Sequence, residues 1–311
     1  MTPALIATAL ITSLVAAGGH AQRQGEPRPG HLVIDVVALD RHDQPLSDIR
    51  RDEVEIWINH YRVPVESFIR ITPTDDEPSA RSMVLLLDDV TLDPTVIPRA
   101  REAARRFVER MSPDDRIGIV TLEGPLIEST GDRARLLQAI DKYSQRLVGP
   151  LRRDQLSERV LTTLESVSRQ MAEGAGRRKT IVAIGSAWLF DTPIPPPSVG
   201  RDLRPEWTAA MRAMASANAS LYVIEPRGVG MTPGGYGGSS GFAREAGGYA
   251  FVSTNDLAGA ADRILREASS YYLIGVADPP FGRSADLRGV EVRVLRKGVS
   301  VRARRAIPGR Q

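Results

Sequence analysis

Two adjacent carboxylates, Asp88 and Asp89, stand directly after the apolar run Met83–Leu87. Such a run is typical of a parallel strand covered on both faces, and doubly wound sheets bind ligands beyond the carboxyl ends of these strands. Carboxylate oxygens there suit a hard divalent cation. They suit equally a structural role, in which they accept hydrogen bonds from loop N–H groups and cap the helix that follows Asp93.

Other patterns that could carry enzyme chemistry are incomplete. Residues 237–241 read G-x-S-x-G, the pattern of a nucleophile elbow. Such an elbow must follow a strand directly, whereas these residues lie in a Gly-rich stretch with no strand before them. No P-loop motif is present, and Pro233 stands where the dinucleotide fingerprint needs its last Gly. The four histidines show no metal-ligand spacing: His20, His31, His42 and His60. We therefore predict no catalytic residue and no organic cofactor.

Composition narrows the classes further. The 311-residue chain has 42% hydrophobic residues, which is ordinary for globular proteins, and its length predicts about two domains. Zero Cys excludes disulfides, thiol nucleophiles and Cys-ligated metals. The formal charge is only +3, and the basic runs 177–179 and 302–305 contain no aromatic residue. That pattern argues against nucleic-acid binding.

The N-terminus has the features of an export signal. Residues 4–17 are apolar or small hydroxyl residues, a run too short to span a bilayer comfortably, and Ala21 ends an A-x-A-like cleavage site. We predict a signal peptide over residues 1–21 and an exported mature protein, periplasmic or secreted, with no stable membrane insertion. A buried N-terminal helix is the alternative.

The two ends of the chain predict strands, and the centre predicts alternating strands and helices. Buried strands alternate with amphipathic helices over residues 80–269, which predicts a mostly parallel, Rossmann-like sheet with helices on both faces. Residues 31–73 and 270–306 predict strands only. The expected architecture is an α/β domain inserted into a small β-sandwich-like domain built from both chain ends. The predicted helix caps are Asp132, Asp154, and either Thr254 or Asn255.

Several runs, taken in order, carry a family resemblance: Met83–Asp89, Ala103–Phe107, Asp114–Val120, Ala243–Phe251 and Tyr271–Gly275. They resemble the von Willebrand factor A (VWFA) domain, and more specifically the exported bacterial VWFA-related domain proteins of the acidobacterial type. The resemblance covers residues 31–306. It implies a Rossmann-like A domain that binds another protein and catalyses nothing.

The resemblance also implies a metal-ion-dependent adhesion site, where a D-x-S-x-S loop, a Thr and a further Asp hold Mg²⁺ or Mn²⁺. Asp88 occupies the first position, but Val90 and Leu92 replace the two Ser residues, and apolar groups cannot ligate a cation. Gly149–Leu151 offers no Thr, and Gly185-Ser186 offers no Asp. The site is thus expected to be degenerate, with Asp88 and Asp89 as the metal-ligand candidates.

A frame shifted by one residue, Asp89-x-Thr91-x-Asp93, restores oxygen ligands, but a shift by one turns every side chain of a strand to the other face. Asp191 in the following Pro-rich segment is a further oxygen ligand that could approach such a site.

These observations predict an exported, non-enzymatic module that binds a protein of the cell envelope or the exterior. We call its expected binding face the rim, formed by residues 88–93, 185–191 and 225–230. The candidate contact residues are Asp88, Asp89, Trp188 and Arg227. One alternative is a divalent-cation-dependent binding protein or metal-assisted hydrolase that uses Asp88 and Asp89. Another is a structural part of a larger envelope assembly.

Overall fold

The structure, a computed structural model, describes residues 32–73, 80–124, 126–149, 151–172, 178–190, 201–230, 237–277 and 287–308. The predicted signal peptide and Asp191 lie outside these ranges. Within them, no helix combines the length and apolar character needed to cross a membrane.

The chain opens with four strands: β1 (Leu32–Leu39), β2 (Val54–Ile58), β3 (Tyr61–Val63) and β4 (Val65–Ile71). Asn59 and His60 adopt positive φ angles of 47° and 70° between the antiparallel strands β2 and β3. This is the two-residue hairpin turn that matches the right-handed twist of the flanking strands. Pro64 separates β3 from β4, since proline has no N–H for a ladder bond.

The centre alternates strands and helices. In chain order they are β5 (Ser82–Leu87), α1 (Ile97–Glu109), β6 (Arg116–Thr121), β7 (Ile127–Thr130), α2 (Arg133–Lys142), α3 (Arg153–Ala172), β8 (Lys179–Ile184), α4 (Arg204–Ser216), β9 (Ala219–Ile224), α5 (Gly237–Glu245), β10 (Ala250–Phe251) and α6 (Leu257–Ser269). The strands form one sheet in the order β10-β9-β8-β5-β6-β7. All its pairings are parallel except that of β6 with the edge strand β7.

Helices cover both faces of this sheet, as the alternation predicts. Met83, Leu85 and Leu87 of β5 pack in one core with α1, α2 and α6. Val84 and Leu86 of the same strand pack in a second core with α3, α4 and α5. A strand buried on both sides must be apolar throughout, which explains the continuous run in the sequence.

Of the predicted helix caps, one is confirmed and two are wrong. Asp132 caps α2, its carboxylate accepting a first-turn N–H at 3.0 Å. The cap predicted at Asp154 is wrong because α3 begins one residue earlier. The cap of α6 is Asp256, not its neighbours, and Thr254 instead accepts the N–H of Asp256. Helix α5 begins at Gly237, inside the Gly-rich stretch that contains the G-x-S-x-G pattern.

The chain closes with four more strands: β11 (Tyr271–Val276), β12 (Leu287–Val294), β13 (Ser300–Ala303) and β14 (Ala306–Pro308). They pair with the opening strands in two antiparallel sheets, ordered β13-β1-β11-β4 and β14-β12-β2-β3. Ile34 and Ile274 of the first sheet and Ile56 and Val290 of the second belong to one hydrophobic core. Both ends of the chain therefore contribute to the same core.

A buried ion pair ties the parallel sheet to the antiparallel strands. Arg178, which directly precedes β8, places Nη1 3.0 Å from the Asp35 carboxylate of β1, and their side chains are 0% and 3% exposed. Arg178 also donates to the Tyr222 hydroxyl at 3.0 Å and to the carbonyl of Gly247 at 3.1 Å. Nearby, burial lowers the pKa of Arg304 to about 10, against the opposing influence of Asp35.

We expect Asp35→Ala to lower the free energy of unfolding by about 3–5 kcal/mol, because it removes the carboxylate that contacts the buried Arg178 guanidinium. Glu291→Ala is the matched control, since it breaks an ion pair with Arg293 whose partners are both about half exposed. The control should leave the free energy of unfolding nearly unchanged. Urea unfolding followed by circular dichroism measures both, and equal losses would show that the buried pair is not a special contact.

Candidate functional site

Asp88 lies at the carboxyl end of β5, and its side chain is used entirely within the protein. The residue is 2% exposed. Its Oδ1 accepts the N–H groups of Val90 at 3.2 Å and Thr91 at 2.8 Å. Its Oδ2 accepts the N–H of Ser186 at 3.0 Å and hydrogen bonds with the Thr91 hydroxyl at 2.5 Å. The carboxylate thus closes its own loop and joins it to the loop after β8.

Space around Asp88 is tight. The backbone of Gly185 passes so close that a Cβ there would lie 2.4 Å from the Asp88 Cβ. Burial raises the pKa of the Asp88 carboxyl, and the hydrogen bonds from Ser186 and Thr91 oppose that rise. The Thr91 and Ser186 hydroxyls lie 2.8 Å apart, so the two loops also meet through their side chains.

The side chain of Asp89 contacts the loop after β6, on the opposite side of β5 from the loop that Asp88 contacts. Its Oδ1 accepts the N–H of Glu123, in the loop after β6, at 3.1 Å. Its Oδ2 lies 3.3 Å from Nε of Arg146, which follows α2 and also donates its backbone N–H to the Asp89 carbonyl at 2.6 Å. Burial raises the pKa of the Asp89 carboxyl, and the charge of Arg146 opposes the rise. Asp89 therefore anchors loops on the β6 side of the sheet.

A cavity of about 340 Å³ opens beside Asp89 and is also lined by Thr121, Lys142, Tyr143 and Arg146. Tyr143 in its wall donates its hydroxyl to the Asp88 carbonyl at 2.5 Å. The end of α2 is in this way fixed to the end of β5.

The loop after β9 repeats the arrangement with Glu225. This residue is 0% exposed, and its Oε2 accepts the N–H of Ala187, in the loop after β8, at 2.7 Å. Arg227 binds the same carboxylate at two points, Nε to Oε1 at 2.9 Å and Nη2 to Oε2 at 2.7 Å. The predicted contact Arg227 therefore neutralises a buried carboxylate within the rim. Arg99 of α1 then donates to the Arg227 carbonyl at 3.3 Å.

Residue 188 lies in a short 3-10 turn, Ala187–Phe190, after β8. The side chain of Trp188 lies outside the described residues, as does Asp191.

The residues present do not fit a divalent cation. Asp88 and Asp89 are bound to loops on opposite sides of β5, so their oxygens do not converge. Leu92 is fully buried in the core, and Asp93 accepts from Thr95 instead of joining the carboxylates. No group of three His, Cys, Asp or Glu residues in the described ranges could hold a metal. Of the two structural roles foreseen for Asp88, it accepts loop N–H groups, but α1 begins after Val96 with no side-chain cap.

The sequence did not indicate two partners of these aspartates, Tyr143 and Arg146. Thr91 was named only as an oxygen ligand of the shifted frame, whereas in the structure its hydroxyl binds Asp88. The position of Glu225 did carry a signal, because it follows a buried strand directly, as Asp88 does. A carboxylate in that place meets unpaired loop N–H groups, which must be satisfied when they are buried.

No protein-family model and no curated protein matches this chain, whereas 62 chains of solved structures do. One is an aerotolerance-related membrane protein from Bacteroides fragilis NCTC 9343, with 15% identity and a TM-score of 0.40 over 61% of this chain and 98% of that chain. Another is the human COPII-coat protein Sec24c, with 9% identity and a TM-score of 0.39 over 78% of this chain and 46% of that chain. At this distance neither likeness bears on the residues of the rim.

We expect Thr91→Val to lower the free energy of unfolding by about 1.5–3 kcal/mol, because it removes a hydroxyl bonded to a buried carboxylate without changing side-chain size much. The matched control is Thr95→Val, whose hydroxyl binds the exposed Asp93. The control should unfold at the wild-type urea concentration. Indistinguishable unfolding of Thr91→Val and the wild type would contradict the role assigned to the Asp88 carboxylate.

Proposed function

We propose that this chain is a metal-independent, non-enzymatic protein-binding module, and that the rim is its binding face. The observation that carries the proposal is the use of Asp88, Asp89 and Glu225 as internal connectors. Each of these carboxylates binds backbone N–H groups of a neighbouring loop. The rim is therefore held in shape by the protein's own bonds, and a preorganised surface loses less entropy when a partner binds.

The strand order supports this location. It reverses between β5 and β8, the two neighbours at the middle of the six-stranded sheet. In open α/β sheets, ligands bind outside the carboxyl ends of the strands at such a reversal. The Asp88 loop and the Ser186 loop meet there.

Exposed apolar side chains supply contact area near the rim. Leu126 follows β6, Leu147 follows α2, and Val229 follows β9, with 46%, 98% and 61% of their surface exposed. All three belong to loops at the carboxyl edge of the parallel strands. Apolar groups surrounded by polar ones are the usual anatomy of a protein interface.

The chemistry of the rim favours binding over catalysis. The Thr91 hydroxyl is held by Asp88 and lies against Ser186. The histidines among the described residues, His42 and His60, lie in the turns around the antiparallel strands. A hydroxyl nucleophile at the rim would therefore find no imidazole base in the part of the chain that the structure describes.

We propose that the two antiparallel sheets form one β-sandwich-like domain, interrupted by a VWFA-related domain over residues 80–269. We also propose that residues 1–21 direct export and that the partner is a protein of the envelope or the exterior.

Site-specific photocrosslinking tests the binding face. A benzophenone amino acid replaces Leu147 or Val229 in the rim region, and Leu295, an apolar residue that is 59% exposed after β12, is the matched control. Incubated with an envelope extract of the source organism, both rim probes should form the same discrete protein adduct, with or without EDTA. Adducts formed equally by the Leu295 probe, or rim adducts lost in EDTA, would contradict the proposal.

A further inference from the structure

A cavity of about 260 Å³ lies beside the edge strand β10, and it contains no residue of the rim. Three parts of the chain meet at it: the turn after β1, the segment from α5 to α6, and β13. The lining residues that matter for its chemistry are Asp43, Arg244, Tyr249, Arg263, Arg302 and Arg305.

The cavity concentrates positive charge. Four arginines and a single carboxylate, Asp43, line it, whereas the formal charge of the entire 311-residue chain is only +3. Such a concave site with an excess of positive charge attracts anions.

The inner pair of arginines, Arg263 and Arg302, is held in place by carboxylates of the protein itself. Nη1 of Arg302 lies 2.6 and 2.8 Å from the two oxygens of Glu267, which is 0% exposed. Arg263 lies 3.6 Å from the same carboxylate and 2.6 Å from Asp43. The Arg302 guanidinium also stands 4.2 Å from the ring centre of Tyr249, within cation–π distance. These contacts orient two guanidinium groups before any ligand arrives.

The outer pair, Arg244 and Arg305, is exposed, and the carboxylates that the structure describes do not hold its guanidinium groups as they hold those of the inner pair. Among the described residues, no carboxylate lies within 4 Å of either guanidinium. The positive charge of Arg305 acts through space to lower the pKa of the Glu245 and Glu291 carboxyls. Arg305 is held in place by its backbone, which donates to the Glu245 carbonyl at 3.1 Å.

We propose that this cavity binds an oxyanion of the phosphate class, as free phosphate or as the phosphate group of a small monoester. Planar guanidinium groups bind such oxygens through paired hydrogen bonds. The volume lies below the about 300–1,000 Å³ typical of sites for drug-sized ligands, which favours a small ligand. Because the cavity is built from both chain ends and the centre, the bound anion braces all three parts. This site stands independently of the proposed function of the rim.

Thermal unfolding and titration calorimetry test the site, with potassium phosphate and glycerol phosphate as probes and potassium chloride at equal ionic strength as reference. The double variant Arg244→Gln, Arg305→Gln removes the outer arginines. The matched double variant Arg152→Gln, Arg169→Gln removes the same charge from side chains that are 75% and 74% exposed near α3. Circular dichroism confirms the fold of each, and single Arg244→Gln serves if the double variant does not fold.

Phosphate should raise the melting temperature of the wild type and of the α3 control in a saturable way, as a ligand of the native state does. Its dissociation constant should be at least tenfold weaker in the cavity variant. Tighter binding of glycerol phosphate than of phosphate would identify an ester as the ligand, weaker binding would identify the free anion, and equal binding would show that the site recognises the phosphate group alone. No stabilisation beyond that of chloride, or the same affinity in the cavity variant, would overturn the proposal.

Discussion

The shape of the rim depends on buried carboxylates that accept hydrogen bonds from backbone N–H groups. Where a parallel strand ends, the loop that follows carries N–H groups with no partner in the sheet, and each must be satisfied if it is buried. Asp88, Asp89 and Glu225 do this after β5 and β9, and each reaches into the loop of an adjacent strand. The rim is in consequence one connected surface, not a set of separate loops.

The same hydrogen bonds limit the binding of a cation at the rim. A carboxylate that accepts four hydrogen bonds from its own protein, as Asp88 does, has little capacity left for a cation. The opposite orientation of Asp89 removes a second ligand from the same point. At the junction with the antiparallel strands, Arg178 and Asp35 make a comparable internal connection.

The sequence allowed much of the fold to be predicted, because burial on two faces forces a continuous apolar run, as in Met83–Leu87. The cap at Asp132 could be predicted for a similarly local reason. Helix α5 could not be predicted locally, because its first residues include glycines that favour loops, and β7 could not because only four residues form it. The partner of Asp88, Ser186, is 98 positions away, and no local pattern specifies such a contact. The pairing of the carboxylates therefore required the tertiary structure.

We propose that the rim keeps its shape without a metal. The most direct test is the melting temperature of EDTA-treated protein titrated with Mg²⁺ and with Mn²⁺ to millimolar concentration. A cation at 100 times its dissociation constant would stabilise the fold by about 2.7 kcal/mol, which is readily measured. We predict no saturable change with either ion. A saturable rise in the wild type that Asp88→Asn abolishes would contradict the account.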